Sequence, residues 1–551
     1  MPTVLEILIK HLKNWNVSHI FGVPGRPVVP LITEINKQNL TFVLTRHETG
    51  AGYAASGFAL QRNTLGVAFA TSGPGGINLL TSAGQAMAHN LPVLFLTGQV
   101  SAANIGKSYS QDSSQFGSNL VKMFEPVTKY SGRVERGDSF QSHLQHAVEK
   151  AFSGVKGPVH LSIPLDVLVE EIPSFEISFP SIPATKASNI DDVFQLITAA
   201  KNPVFILGKG IRSANSYEEI YELATRWNVP VITTGGGKGT FPTNHPLSLG
   251  SYGLGGSEQA DLFLQSGVDV MIVIGSSLTD MSLSGFNSSF YPENVIHFDY
   301  DPTFVGKSIP RPTTYVPGDI KENLIALLEM TMKSNRPVNL GRPIPILQAA
   351  AAIDYEEDKQ STPYISSVTA IKVIRKNLPD HTKVFADVGS HAYYAVKHFD
   401  VYQPNTFFFD DRFIAMGNGI GYAIGASIAS EDINTPIACI TGDGCMQMHG
   451  TEIATAVDHR ASVLFFVFNN SGLDMVETGM KHWQQCPGHA IYQNTVDFVS
   501  FAKSFSCNGY RCMNESDIQL AIERGLTNKG PTIIEIMVDP EEVPPTLKRD
   551  A

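Results

Sequence analysis

The chain alternates short apolar runs with longer stretches of helical period. The clearest runs are rich in β-branched and aromatic residues and lie at 204–207, 463–468 and 533–538. Runs that are apolar on both faces predict strands buried between two layers of helices, as in parallel sheets. Further runs of this kind lie at 42–44, 66–70, 92–97, 159–163, 268–274, 384–386 and 437–440. The predicted class is α/β.

Two stretches interrupt the alternation. Residues 173–188 are rich in proline and serine, and residues 331–363 carry basic, proline-rich and acidic patches in succession. Both compositions are typical of linkers. We therefore expect three doubly wound parallel-sheet domains, at 1–172, 190–330 and 364–545. The first and third domains could be alike in structure without sequence identity.

Charge and composition exclude several classes of function. The 551 residues include 52 acidic and 40 basic side chains, a formal charge of −12 that repels nucleic acid and anionic membranes. No apolar run is long enough to span a membrane, and residues 1–15 predict an amphipathic helix, not a signal peptide. The five cysteines show neither a CxxC pair nor zinc-ligand spacing, which favours reduced thiols in a cytoplasmic protein.

The strongest chemical signal lies in the third domain. The predicted strand 437–440 runs into Thr-Gly-Asp443-Gly, and the strand 463–468 ends in Asn-Asn470-Ser-Gly. The spacing of Asp443 and Asn470 allows one helix between neighbouring parallel strands, so both side chains face the same crevice. A carboxylate and an amide oxygen suit Mg²⁺, and the glycines let backbone N–H groups approach phosphate. Taken singly, each sequence is also a favoured turn.

Residues 442–470 resemble the cofactor motif of thiamine diphosphate enzymes, in which Gly-Asp-Gly is followed after about 25 residues by Asn-Asn. The resemblance covers nearly the whole chain and is closest to the acetolactate synthase and 2-oxo acid decarboxylase family. It implies that the three domains are a pyrimidine-binding, a central nucleotide-fold and a diphosphate-binding domain. It assigns Asp443, Asn470 and the carbonyl of Gly472 to the cation.

Two more segments of the third domain carry the resemblance. Residues 387–391, Asp-Val-Gly-Ser-His, resemble a diphosphate-binding segment of acetolactate synthases. Residues 412–419 resemble the stretch that holds the cofactor bent, with Met416 between its two rings and the backbone of Ile414 and Met416 on the aminopyrimidine. Without the resemblance, Met416 would be interpreted as a core residue. The implied cofactor contacts are Gly389, Ser390, His391, Ile414, Met416, Gly442, Asp443, Gly444, Cys445, Asn470 and Gly472.

The first domain supplies the candidate acid. Residues 46–48 resemble the Arg-His-Glu motif of the family, which implies that Glu48 contacts the pyrimidine ring and assists removal of the thiazolium proton. In isolation Glu48 would be an ordinary acid at a helix start. A dinucleotide site is also suggested by Gly50, Gly52 and Ala55 after a strand. Such a site needs an acidic residue about 20 positions further along the chain. Residues 49–111 contain no acidic residue, and the first one after Glu48 is Asp112.

Other segments bear on the reaction. Residues 71–78 resemble a segment of thiamine diphosphate enzymes in general, whereas residues 123–130 and 157–166 resemble acetolactate synthase segments more specifically. The chain lacks the adjacent histidine pair of pyruvate-type decarboxylases. The Phe-Gln pair of the family appears reversed, as Gln115 and Phe116. Arg26 stands where the family commonly has a small residue near the substrate, so we hypothesise that it binds a substrate anion. A solvent-facing or subunit-pairing arginine is the alternative.

The central domain carries residues 234–239 and 299–301, which resemble the nucleotide-fold centre of the family. Some relatives bind FAD there. Residues 277–281 depart from the Arg-Phe-Asp-Asp-Arg stretch of those relatives, so FAD is possible but not favoured.

The resemblance predicts decarboxylation of a small-molecule 2-oxo acid with carboligation, most simply two pyruvate to 2-acetolactate and CO₂. Its cofactors would be thiamine diphosphate and Mg²⁺. Its active site would lie at the subunit interface of a homodimer or homotetramer. The alternatives are a decarboxylase without carboligation, a thiamine-dependent lyase or acyltransferase for an acyl-CoA or a sulfonate, and a non-catalytic scaffold.

Overall fold

The computed structural model describes residues 1–181, 184–334, 340–341, 363–432, 434–484 and 486–546. These residues form three parallel six-stranded sheets with helices on their faces, so the predicted α/β class with three sheets is confirmed. Most of the predicted second linker, 331–363, lies outside the described residues. The proposed domain limits remain a prediction.

The first domain contains strands β1–β6 and helices α1–α8. The strands are His19–Gly22, Thr41–Leu44, Gly66–Ala70, Val93–Gln99, Ser131–Arg133 and Val159–Pro164. The helices are Val4–Asn14, Val29–Lys37, Glu48–Arg62, Pro74–Asn78, Leu80–Ala88, Leu120–Phe124, Phe140–Phe152 and Leu165–Leu168.

The central domain contains strands β7–β12 and helices α9–α13. The strands are Val204–Leu207, Val231–Thr233, Ser248–Ser251, Val270–Ile274, Asn294–Phe298 and Thr313–Val316. The helices are Ile190–Thr198, Gly210–Ser213, Tyr217–Trp227, Glu258–Gln265 and Ile320–Lys333.

The third domain contains strands β13–β18 and helices α14–α21. The strands are Lys383–Ala386, Phe407–Phe408, Ile437–Gly442, Val463–Asn469, Asn508–Cys512 and Thr532–Met537. The helices are Ser367–Asn377, Ser390–His398, Asn418–Ala429, Asp443–His449, Ile453–Asp458, Asp474–Gly479, Phe498–Ser504 and Glu515–Thr527.

The first and third sheets have the same strand order. The first runs β2-β1-β3-β4-β6-β5 and the third runs β14-β13-β15-β16-β18-β17. The central sheet runs β12-β11-β10-β7-β8-β9, the order of a doubly wound nucleotide fold. In open parallel sheets, ligands bind beyond the carboxyl ends of the strands where the order reverses. These points are β1/β3 in the first sheet and β13/β15 in the third.

Helices α3 and α16 join the first and third domains. A Cβ on Gly57 would lie 2.1 Å from the carbonyl oxygen of Tyr422, and one on Gly425 would lie 1.9 Å from that of Ala54. The two backbones therefore touch where only glycine fits. Around this crossing the two domains share one apolar core, which includes Phe58, Tyr53 and Ile420.

The predicted first linker packs against the first domain. Within its described residues, 173–188 without 182–183, it forms no helix or strand. The Ile177 N–H donates to His11 Nε2 at 2.9 Å, and Trp15 Nε1 donates to the Ile177 carbonyl at 3.2 Å. The aromatic side chains of Phe175 and Phe179 contact these two rings. The segment is thus held on helix α1 and is not a free tether.

Candidate active site

Asp443 lies at the switch point of the third sheet, directly after β15. Its side chain is 3% exposed. One carboxylate oxygen accepts from the Gly444 N–H at 2.9 Å and the other from the Gly472 N–H at 3.0 Å. The loop after β16, which carries Asn470 and Gly472, is therefore tied to Asp443, as their spacing predicted.

The electrostatics of Asp443 suit a cation. Burial raises the pKa of its carboxyl to about 7, although backbone N–H groups act in the opposite direction. A buried carboxylate whose pKa is raised in this way gains most from a bound positive charge. Among the described residues there is no cluster of three or more His, Cys, Asp or Glu side chains for a metal ion.

The predicted diphosphate contacts surround the same point. His391 is 7% exposed, and its buried Nε2 atom finds no hydrogen-bond partner in the described part of the chain. Burial lowers the pKa of His391 to about 3, so the ring is neutral. Its ring lies against both Gly389 and Gly442, where a Cβ would come within 2.6 and 2.8 Å of ring atoms. Ser390 is buried at the start of α15.

Cys445 differs from the other predicted contacts, because its thiol is already used in a hydrogen bond to the backbone. The Sγ atom donates to the Val388 carbonyl at 3.0 Å, and the side chain is fully buried. Burial raises the pKa of this thiol well above its usual value. The backbone of Cys445 belongs to the first turn of α17, so only its main chain can face a ligand.

The segment before α16 is strained at one of the predicted contacts. Ile414 has φ +51°, which is an outlier for a β-branched residue. Asp410 holds this turn by accepting from the Phe413 N–H at 3.0 Å, and Gln85 of the first domain accepts from the Ala415 N–H at 3.1 Å. Met416 reaches Gly444, whose Cβ would lie 3.3 Å from the Met416 methyl.

Two buried acids near this crevice were not predicted as site residues. Asp387 is fully buried and accepts from the N–H groups of Val388 (2.8 Å) and Gly417 (2.9 Å) and from the Thr441 hydroxyl (3.1 Å). Its place directly after a predicted strand was the available signal. Glu452 is 2% exposed and contacts the first domain. No local sequence pattern predicts this contact.

In the first domain, Glu48 is the first residue of α3 and 9% exposed. Its carboxylate accepts from Asn78 Nδ2 at 2.9 Å. The Cβ that Gly75 lacks would lie 3.1 Å from Glu48 and 2.8 Å from Thr71. The Thr71 hydroxyl is buried and has no hydrogen-bond partner among the described residues. The structure therefore brings Glu48 and Thr71 together at the β1/β3 switch point, with the Thr71 methyl group nearest to the Gly75 position and its hydroxyl nearest to the Gly25 position.

The tentative substrate residues divide into two groups. Arg26 is exposed and follows Gly25, whose Cβ would lie 2.4 Å from Thr71, so it stands at the rim of the Glu48 crevice. Phe116 is 68% exposed, and Gln115 accepts from Arg133 Nη1 at 3.0 Å. Gln115 and Phe116 are both exposed and lie between strand β4 and helix α6.

The loop that bears Gln115 and Phe116 meets the crevice through other residues. Ser113 accepts from the Gly73 N–H at 2.6 Å, and a Cβ on Gly73 would lie 3.0 Å from Gln111. Gln99 is fully buried and accepts from the Ser113 N–H at 3.1 Å. The distance of these residues from Glu48 is set by the fold of residues 99–119. The sequence of that loop has no periodic pattern from which its fold could be predicted.

Comparison with known proteins identifies the fold and its cofactor class. The N-terminal TPP binding domain, the central domain and the C-terminal TPP binding domain of thiamine pyrophosphate enzymes match residues 2–118, 190–327 and 387–536. The chain is 31% identical to a probable acetolactate synthase large subunit of Methanocaldococcus jannaschii, over 98% of this chain and 93% of that protein. The chain belongs to the thiamine diphosphate-dependent family of acetolactate synthases and 2-oxo acid decarboxylases.

Two further proteins are similar to this chain, one in sequence and one in fold. The acetolactate synthase large subunit of Corynebacterium glutamicum is 30% identical over 97% of this chain and 87% of its own length. The crystal structure of benzoylformate decarboxylase from Polynucleobacter necessarius superposes with a TM-score of 0.86, at 22% identity over 99% of this chain and all of that one. The second comparison shows the shared fold.

The residues of this thiamine diphosphate-dependent enzyme fit a bent, two-ended cofactor. The orphaned Nε2 of His391 and the raised pKa of Asp443 suit a diphosphate and its cation. The Cys445 side chain does not fit this role, because its thiol donates to the Val388 carbonyl. None of the helices in the described part of the chain has the length and apolarity to cross a membrane.

In this family member a further cavity lies where the central domain meets the first and third domains. It is lined by Thr234 from the glycine-rich segment, by Ser277 and by Asp299 and Asp301 after β11, together with Arg412 of the third domain. Burial raises the pKa of Asp299 to about 6. The segments that resemble the family's nucleotide-fold centre therefore do meet in one place.

Asp387 gives a testable consequence of burial. Burial raises its pKa from 3.8 to about 6, so the folded state holds this proton more tightly than the unfolded state does. The stabilising effect of that proton is complete below pH 4 and is lost as the pH rises to 6. The Asp387→Asn protein keeps an oxygen for both N–H groups and does not ionise.

We expect the thermal stability of Asp387→Asn, relative to the unsubstituted protein, to rise between pH 4 and 6 by on the order of 1.4 kcal/mol per pH unit and then to level off. Thermal denaturation across a pH series, without added cofactor or metal, measures this. Asp138→Asn, at an exposed carboxylate, is the control. A difference that does not change with pH would contradict the assignment.

Proposed function

We propose that the protein is a thiamine diphosphate- and Mg²⁺-dependent carboligase that resembles acetolactate synthase and converts two pyruvate to 2-acetolactate and CO₂. The observation that carries the proposal is that two sheets of the same strand order each have a buried acid at the switch point. These acids are Glu48 in the first sheet and Asp443 in the third. The names of the relatives support the choice of reaction.

The third domain would hold the diphosphate end. Asp443, the Asn470 amide and the Gly472 carbonyl would bind the cation, which also takes phosphate oxygens. His391 would donate from its free Nε2, since its neutral ring can still carry a proton there. The main-chain groups of Gly389, Ser390, Gly442, Gly444 and Cys445 would complete the contact, with Ile414 and Met416 against the rings.

Glu48 would act at the other end of the cofactor. When bound, thiamine diphosphate supplies a nucleophilic carbon that adds to the 2-oxo group and accepts the electron pair released with CO₂. Glu48 would hold a proton on the pyrimidine ring nitrogen, and Asn78 fixes the direction of its carboxylate. Its burial keeps water from competing for that hydrogen bond.

The surroundings of Glu48 favour carboligation over simple decarboxylation. The side chain that lies with Glu48 at the Gly75 position is Thr71, which presents its methyl group there and whose hydroxyl is a far weaker acid than an imidazolium. A pyruvate-type decarboxylase would place a histidine pair in the first domain to protonate the product, and this chain has no adjacent histidines. A second 2-oxo acid would therefore meet less competition from protonation. The reaction is redox-neutral, so we assign no role to FAD.

Incubation with pyruvate, thiamine diphosphate and Mg²⁺ tests the proposal. We expect acetolactate and CO₂, and we expect Glu48→Gln to lower the rate by roughly 10²–10⁴-fold because it removes the proton-holding carboxylate. A colorimetric acetolactate assay and a CO₂ assay measure the two products. CO₂ without acetolactate would favour a decarboxylase, and no CO₂ across a panel of 2-oxo acids would refute the proposal.

We further propose that the site forms between two subunits. The hydrogen bonds of the Glu48 carboxylate come from the first domain and those of Asp443 from the third. Large apolar side chains are exposed around both places: Leu44, Ile77, Met448, Val476 and Ile491. Exposed apolar surface beside both half-sites is typical of an interface. A homodimer, or a homotetramer of two such dimers, would cover it.

Mixing two inactive variants tests the shared site. If Glu48 serves the partner's cofactor, a dimer of Glu48→Gln and Asp443→Asn chains has one intact site and one doubly altered site. Random mixing then restores about one quarter of full activity, because half of the dimers are mixed and each has one of two sites intact. Activity after co-refolding or co-expression measures this. If both residues served one chain's site, mixing would restore none.

A different substrate class is a second candidate, which Arg26 favours. Arg26 is exposed, its neighbour Gly25 packs against Thr71, and no ion pair is formed with Arg26 by the described residues. A free guanidinium can bind a carboxylate, a sulfonate or a phosphate of an acyl-CoA by two parallel hydrogen bonds. The activity would then be that of a thiamine-dependent lyase or acyltransferase.

We expect Arg26→Ala to raise the apparent KM for the anionic substrate about tenfold or more, since hydrogen bonds to charged groups contribute about 1.5–3 kcal/mol. Arg26→Lys keeps the charge but loses the two-pronged contact, so its KM should lie between the two. Steady-state kinetics on the best substrate of the panel measure the effect. An unchanged KM in Arg26→Ala would leave the arginine as a solvent-facing residue.

A further inference from the structure

The buried acid Glu452 of the third domain reaches across to the first domain. Its Oε1 atom accepts from the His47 N–H at 2.9 Å and from the Arg46 N–H at 3.0 Å. Its Oε2 atom shares the Arg46 N–H at 3.2 Å and accepts from the Thr455 hydroxyl at 2.7 Å. These two N–H groups belong to the residues immediately before Glu48. The carboxylate is 2% exposed.

The first turn of α3 is shaped around Glu452. A Cβ on Gly50 would lie 2.2 Å from Glu452 Oε1, so a larger residue there would displace the carboxylate. His47 is the N-cap of α3, with its backbone extended at φ −146° and ψ 149°. A carboxylate that binds the N–H groups of Arg46 and His47 sets this backbone, and the backbone sets where the side chain of Glu48 begins.

We propose that Glu452 is a positioning residue for Glu48: its carboxylate holds the Arg46–His47 backbone and thereby aims the Glu48 side chain at the cofactor. It does not touch substrate or cofactor in this scheme. The inference rests on the proposed role of Glu48. The 3-10 turn Gly450–Glu452 directly follows helix α17, which begins at Asp443, so one continuous helical segment carries the candidate cation ligand at its start and Glu452 at its end.

Removal of the carboxylate should affect proton transfer more than cofactor binding. The rate at which the thiazolium C2 proton of the bound cofactor exchanges for deuterium can be measured by quenched-flow NMR. This rate reports the proton transfer that Glu48 assists, separately from the later steps of the reaction. We expect Glu452→Ala to slow this exchange about tenfold or more, because a displacement of about 1 Å can cost about 100-fold in rate. The Kd of thiamine diphosphate with saturating Mg²⁺, from tryptophan fluorescence, should change less than about threefold, because the diphosphate contacts are intact.

Glu452→Gln separates position from charge. The amide oxygen can accept from both N–H groups, and the amide nitrogen can donate to Thr455, whose hydroxyl can turn to the Leu44 carbonyl 3.4 Å away. A positioning role predicts exchange close to that of the unsubstituted enzyme. Slow exchange in Glu452→Gln as well as in Glu452→Ala would overturn the proposal in favour of a role for the charge itself.

Two more variants complete the test. Gly50→Ala should slow exchange as Glu452→Ala does, because it displaces the same carboxylate without removing it. Asp458→Asn is the control. Asp458 forms a half-exposed ion pair with Arg46 in the same contact, and its replacement leaves the buried hydrogen bonds of Glu452 intact. Should Glu452→Ala fail to fold, Gly50→Ala decides: normal exchange in a folded Gly50→Ala enzyme would contradict the proposal.

The reference variant Glu48→Gln distinguishes the failure of this inference from that of the proposed function. If Glu48→Gln exchanges normally, the role of Glu48 itself is wrong. If Glu48→Gln is slow while folded Glu452→Ala exchanges normally, only the positioning role is wrong.

Discussion

The direct contact between helices α3 and α16 is the interaction on which the rest of the structure depends. Gly57 and Gly425 let the two backbones meet, and no side chain fits between them and the opposing carbonyls. The first and third sheets consequently share one apolar core. Because α3 begins at Glu48, the same contact sets the end of the helix that carries the candidate acid and brings it within reach of Glu452.

The two sheets that share this core have the same strand order, and each places polar groups at its switch point. In the third sheet the consequence is electrostatic. A pKa of about 7 for Asp443 means that the folded protein holds a carboxylate where ionisation is costly, because raising a pKa by one costs the ionised form about 1.4 kcal/mol. A cation would relieve this cost, so the apolar packing that buries Asp443 also creates its affinity for positive charge.

The sequence predicted the inner strands of the three sheets better than their edge strands. Buried strands such as Gly66–Ala70 and Val204–Leu207 were found at their observed bounds, since both faces are apolar, although the inner strands β1, β8 and β11 were missed. Five of the six edge strands were missed: Ser131–Arg133, Ser248–Ser251, Thr313–Val316, Phe407–Phe408 and Asn508–Cys512. An edge strand has one neighbour and often one solvent-facing side, so its apolar run is short or broken.

The site residues divide in the same way. The contact between Asp443 and the loop that carries Asn470 was predictable, because strand, turn and helix follow each other within one stretch of chain. Glu452 was not, because its partners Arg46 and His47 lie some four hundred positions away, and only the meeting of two domains makes this acid a neighbour of Glu48. Whether such a residue matters for function is a property of the tertiary contact and leaves no local pattern.

The strained turn at Ile414 shows why no single domain can form the site. Left-handed backbone at a β-branched residue costs about 1–3 kcal/mol, so neighbouring groups must hold it. Asp410 does so with its buried carboxylate, and it is bound in turn by Gln85 Nε2 of the first domain at 2.7 Å and by Lys209 Nζ of the central domain at 3.0 Å. Burial alone would raise the pKa of Asp410, but the Lys209 ammonium holds it well below its usual range. All three domains thus contribute to one backbone conformation, and a third domain on its own would lack two of the groups that keep Ile414 in place.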